Sequence, residues 1–149
     1  MISKNPRTTP DPLTIRPTDI VAYGTDAPLF RIHTIRGHHP APWNGLREFG
    51  PLSQMRWDPH PSPRGAHPGI GVAYCATDPT TAFAEVFQSR RRIRITPDQA
   101  FSAWFPARTL RLLDLTGLWA TVNGASASLH AAPKPTCRAW AQAIHESSM

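Results

Sequence analysis

The sequence predicts an α+β fold with a small mixed or split β-sheet core and flanking helices. Three observations carry that reading. Leu29 to Thr34 alternates apolar Phe30 and Ile32 with polar Arg31 and His33, the two-residue period of a half-buried strand. Ala82, Phe83, Val86 and Phe87 recur at three- and four-residue spacing, the apolar stripe of a helix. Cys137, Trp140, Ala141 and Ile144 repeat that helical spacing near the end of the chain. With 149 residues there is room for one ordinary core and not two.

The elements follow in order. Residues 1–19 carry Pro6, Pro10, Pro12 and Pro17 among Thr and Asp, which offers little to bury, so they are expected to form a loose arm before a single domain at 20–149. Of the 17 prolines, twelve fall in residues 1–68, so the first half is expected to be extended and looped, since each proline removes a donor and forbids a helix interior. The Leu29 to Thr34 strand places Arg31 and Phe30 on opposite faces. Residues 36–68 are too rich in Pro and Gly for an ordinary connection, and a loop of that length is usually functional. Residues 69–76, GIGVAYCA, read as a short apolar strand. Thr77 or Asp78 then caps a helix with Pro79 at its first position, running to about Ser89 and ended by the arginine-rich stretch at 90–94. Residues 101–106 and 109–115 read as two strands joined at a Pro106 corner. Thr116 caps a short helix through Trp119 and Val122, and residues 135–145 form the last helix.

Charge and composition narrow the functions. Lys and Arg number 16 against 10 Asp and Glu, a net charge of +6, and fourteen of the cations are Arg. Arginine favours planar, bidentate recognition of carboxylate or phosphate. The arginines are scattered rather than striped, and no helix-turn-helix or RNP pattern accompanies them, so a direct nucleic-acid contact is not expected. No run approaches the ~20 apolar residues of a membrane span, and residues 1–11 lack the apolar core of a secretory signal; a cytoplasmic protein is expected. Cys75 and Cys137 fit no metal or redox motif and are expected to be buried free thiols. The seven His show no HxH or HExxH spacing, so no metal site is expected. Glycine-rich phosphate motifs and the GxSxG elbow are absent as well.

Four residues stand out. Glu85 is a carboxylate among small and apolar residues on the first helix, either a boundary residue with its oxygens in water or a group that meets a ligand hydroxyl in a cleft. Tyr74 lies on the strand just before that helix. Arg31, a cation in the middle of a strand, must find solvent or an anion. Arg56 sits in the proline-rich loop, where nothing demands a structural cation.

The blocks LFRIH, FGPLSQMRWDPHP and GVAYCATDPTTAFAEVF, in that order, resemble the RES domain. The resemblance is good over about residues 29–89 and looser beyond. It implies a fold similar to ADP-ribosyltransferases and the activity of an NAD-degrading toxin of a toxin–antitoxin pair, an NAD glycohydrolase or NAD phosphorylase, with NAD as substrate and no resident cofactor. By position Arg31 is the family arginine, Glu85 its glutamate, Tyr74 its aromatic strand residue, and Arg56 the arginine of its R-[FW]-D-P segment. The family serine lies in a strand after a helix like that at 136–145. Here only residues 146–149 follow, so either the chain stops before that strand or Ser147 or Ser148 is a vestige of it; the serine is not identifiable, and the domain is expected to lack that strand, leaving an open sheet edge that favours self-association. The partners implied are NAD, a cognate protein antitoxin and a second copy.

These residues suit the chemistry. Cleavage of the nicotinamide–ribose bond passes through an oxocarbenium-like state that Glu85 can stabilise. Arg31 and Arg56 can hold a pyrophosphate by paired charge-assisted hydrogen bonds, and Tyr74 supplies an aromatic wall for a flat ring. The competing expectation is a catalytically inactive or truncated module that binds a nucleotide or a protein.

Overall fold

The computed structural model describes residues 4–147. In chain order they form a 3-10 turn at Pro17–Asp19, β1 (Ile20–Tyr23), β2 (Leu29–Thr34), β3 (Phe49–Gly50), β4 (Gly65–Ala66), α1 (Pro79–Phe87), a 3-10 turn at Gln88–Arg90, β5 (Gln99–Trp104), β6 (Leu110–Leu113), α2 (Trp119–Val122), a 3-10 turn at Leu129–Ala131 and α3 (Lys134–Ser147). β1 pairs with β6, while β2 with β5 and β3 with β4 are antiparallel. The fold is thus mixed α+β, with small two-stranded sheets and no closed barrel among the described residues. The chain divides into two compact units, each with its own interior.

The first unit takes in the described residues of Met1–Val21, Glu48–Val72 and Arg111–Met149. Its core follows from two helical stripes. Trp119 on α2 and Trp140 on α3 are fully buried and meet edge to face, ring centroids 5.7 Å apart, a geometry worth about 0.5–1.5 kcal/mol beyond area burial. Leu129, Cys137 and three alanines (Ala120, Ala125 and Ala132) complete the cluster, and Leu13, Trp57, Leu113, Leu115 and Ile144 pack around it. The Cys137 thiol donates to the carbonyls of Leu129 and Ala132. Although residues 1–19 have the composition of a loose arm, several of them are tied down. Asn5 Oδ1 accepts from Ser126 N and Oγ, Trp140 Nε1 donates to Pro6 O at 2.8 Å, and Thr14 exchanges two hydrogen bonds with the Asn123 amide. Arg16 then forks onto buried Asp19 and holds its carboxyl below the usual carboxylate range.

The second unit comprises Ala22–Arg47 and Ala73–Leu110. In the β2–β5 register Arg31 faces Ser102 and Ile32 faces Phe101. Strand alternation sends Phe30, Ile32 and Phe101 to one face and Arg31, His33 and Ser102 to the other. α1 covers the aromatic face: Phe30 and Phe83 both lie against Phe101, with ring centroids 5.9 and 5.2 Å away. Asp78 caps α1 by accepting from Thr81 N, and Pro79 occupies the first turn, as the sequence predicts. The helix ends at Phe87, two residues short of the expected end, and passes into the 3-10 turn, closed by Arg91 in the left-handed region at φ 47°.

Other boundaries differ more. Residues 69–76 form no continuous strand; Ala76 exchanges both backbone hydrogen bonds with Phe30. The glycines and Pro68 leave little to hold the rest extended. The expected strands at 101–106 and 109–115 are β5 and β6, which pair with different partners, and buried Pro106 lies in their connection. Cys75 is exposed rather than buried; in its segment only Val72 and Ala76 are bridged.

Candidate functional site

On β2, Arg31 is 9% exposed, and its Nη1 donates to the carbonyls of Trp43 at 3.2 Å and Gly45 at 2.7 Å. No carboxylate pairs with it among the described residues. Two residues on, buried His33 points to the same face. Its Nδ1 meets Ala41 O and its Nε2 meets Ser102 Oγ, both at 2.8 Å. A carbonyl only accepts, so Nδ1 carries a hydrogen there, while the Ser102 hydroxyl can serve Nε2 as donor or acceptor. Residues 41–45 are thereby strapped over the polar face by three carbonyls held from β2. A backbone bond from Ala41 N to Thr34 O adds a fourth tie.

Cys75 and Trp104 complete this face. Although Cys75 is exposed as a residue, its sulfur is partly desolvated. That burial raises the thiol above its ordinary value, against the opposing pull of the Arg31 charge and of Trp104. The Trp104 indole N–H is buried, and the Cys75 thiol is the group it faces.

The remaining predicted site residues stand elsewhere. Tyr74 is 43% exposed, and Glu85 is exposed on α1. Arg31 leaves β2 on the face opposite to the one α1 covers, and no hydrogen bond or ion pair joins it to Glu85. Arg56 belongs to the first unit, where its Nη1 donates to Ala132 O. Arg138 from α3 binds the same loop through the carbonyls of Ser53 and Met55.

Two polar pairs escaped the sequence reading. One is His33 with Ser102, which the strand alternation could have marked, because His33 shares a face with Arg31. The other is Asp58 with His60 in the first unit. Both side chains are wholly buried, and Asp58 Oδ1 lies 2.5 Å from His60 Nδ1. Asp58 Oδ2 accepts from Leu52 N, and His60 Nε2 faces Ile70 O. Its only sequence trace is the spacing D-P-H between prolines. No group of three or more His, Cys, Asp or Glu is placed to hold a metal among the described residues, and no helix there is long and apolar enough to cross a membrane.

Comparison with known proteins places residues 28–149 within the family described as the RES domain, most of the chain. No curated protein and no solved structure matches it.

Proposed function

The chain belongs to the RES domain family, and from that premise we propose that it cleaves the nicotinamide–ribose bond of NAD as the toxin of a toxin–antitoxin pair. The observation that supports this most is Arg31, a cation withdrawn from water with two carbonyls for partners and no carboxylate. A buried cation in that state favours an anionic ligand. In this reading Arg31 turns its remaining guanidinium donors to the pyrophosphate, Tyr74 flanks a flat ring, and Glu85 stabilises the cationic sugar. Arg56 is a further phosphate contact to be tested separately, since one of its nitrogens already serves Ala132. The C1′–N bond breaks with its electron pair leaving on neutral nicotinamide. Water or phosphate then bonds to C1′, water losing its proton to solvent. A cognate antitoxin, itself a protein, would restrain the activity.

The test is incubation of the purified chain with NAD in water and in phosphate, following nicotinamide release by chromatography. Release by the parent is expected, with Glu85→Gln about 10²-fold slower, the scale of losing one preorganised electrostatic contact. A folded parent that releases no nicotinamide sinks the proposal. The second reading, a module that binds nucleotide or protein without chemistry, draws on the separation of Arg31 and Glu85 on the two sides of β2. It predicts NAD binding without turnover.

A further inference from the structure

Three features of the second unit converge at one end of β5. The first is an apolar groove of about 180 Å³ lined by Ile32, Phe83, Phe87, Ile93, Ile95 and Phe101. It is poorly covered: Ile93 is 58%, Ile95 92% and Phe101 45% exposed. The second is charge. Arg94 lines the groove, and Arg90, Arg91 and Arg92 are exposed in the turn leading to it, against Glu85 and Asp98 as the nearest carboxylates in sequence.

The third is backbone. Phe30 gives its amide and carbonyl to Ala76, away from β5, so the pairs Arg31 with Ser102 and Leu29 with Trp104 are those that point at each other. The amides and carbonyls of Phe101 and Ala103 therefore face the other edge of β5. That edge pairs with no strand among the described residues. An open edge is a template for strand addition.

We propose that the free edge of β5, with the apolar groove and the 90–94 arginines beside it, receives an extended acidic segment of a partner protein. The segment adds as a strand through the backbone of Phe101 and Ala103. Its alternate apolar side chains enter the groove, and its carboxylates meet the arginines. The groove favours a peptide over nucleic acid, which has no aliphatic side chain to place among isoleucines, and over a lipid surface, which needs no strand edge.

The probe is a fluorescein-labelled peptide in which Glu alternates with Val, titrated with the full chain by anisotropy. Binding is expected, weakened at least about tenfold by Arg92→Glu with Arg94→Glu, and likewise by Ile95→Ser. Ala103→Pro removes one outward-facing amide while leaving the β2 ladder intact, so it should weaken binding similarly in a chain whose circular dichroism is unchanged. Four results would overturn the proposal: no binding of the Glu peptide; equal binding of a Lys-for-Glu version; indifference to Ala103→Pro; or recruitment to phosphatidylserine vesicles without peptide binding. Self-association that Ala103→Pro abolishes would instead assign the edge to a second copy. None of these outcomes depends on NAD cleavage.

Discussion

Arg31 spends one nitrogen on two carbonyls, which leaves the rest of its planar fork for a ligand. Lysine keeps the charge but loses the fork. Arg31→Lys is therefore expected to weaken NAD binding about tenfold by calorimetric titration, with the fold retained; an unchanged dissociation constant would remove Arg31 from the ligand. At Asp58 the same logic concerns stability. Its carboxylate serves Leu52 N and both the backbone amide and ring of His60. Asp58→Ala leaves those donors buried and unpaired, and a loss of about 3–5 kcal/mol is expected in urea unfolding. Gly50 confines the same imidazole, since a β-carbon there would lie 2.5 Å from His60 Nδ1. Gly50→Ala should cost about 1–3 kcal/mol as the ring is displaced.

α1 and α3 show how far a periodic pattern informs. Both have clear apolar stripes, yet α3 buries Thr136, Cys137, Trp140 and Ala141 while α1 buries only Ala82. Spacing reveals which side of a helix is apolar, whereas coverage of that side depends on what the rest of the chain brings to it. Trp140→Ala empties a fully buried site and orphans Pro6 O, so about 3–5 kcal/mol should be lost in urea unfolding. Trp140→Phe should cost clearly less. β2 was legible because six residues alternate without a break. β1 was not, because its four residues follow a proline-rich arm and bury neither Val21 nor Ala22. The β3–β4 pair is two residues deep and joins Phe49 to Ala66 and Gly50 to Gly65, so no local pattern marks it. The 41–45 strap is equally silent, since what fixes it is its carbonyls and not its side chains.

Across the whole molecule, acid should be the weak direction. Asp19, Asp78 and Asp114 all sit below the ordinary carboxylate value, held there by hydrogen bonds from Arg16, from Thr81 and from Thr116 in turn. Groups lowered by folding contribute fully above their unfolded value, near about pH 4, and lose that contribution as pH falls through the folded one. The net charge of +6 grows as carboxylates protonate, which adds self-repulsion. The urea midpoint should therefore hold from neutral pH to about pH 5 and drop steeply toward about pH 3. A flat midpoint across that range would show that these bonds persist in the unfolded chain. At this scale the fold class and family were readable, because three spaced blocks survive in order. The division into two units was not, since both draw on separated stretches of sequence.

The opposite settings of the two cysteines make the chain its own reporter of opening. Cys75 is exposed, while the Cys137 sulfur lies at 0% exposure between two carbonyls. An alkylating reagent at alkaline pH should add its first mass increment at Cys75, whose raised thiol slows the reaction without barring it. The second should arrive only as often as the tryptophan core of the first unit opens. Timed quenching and intact-mass spectrometry would thus count native and opened molecules directly, and Trp140→Ala should hasten the second increment while leaving the first unchanged.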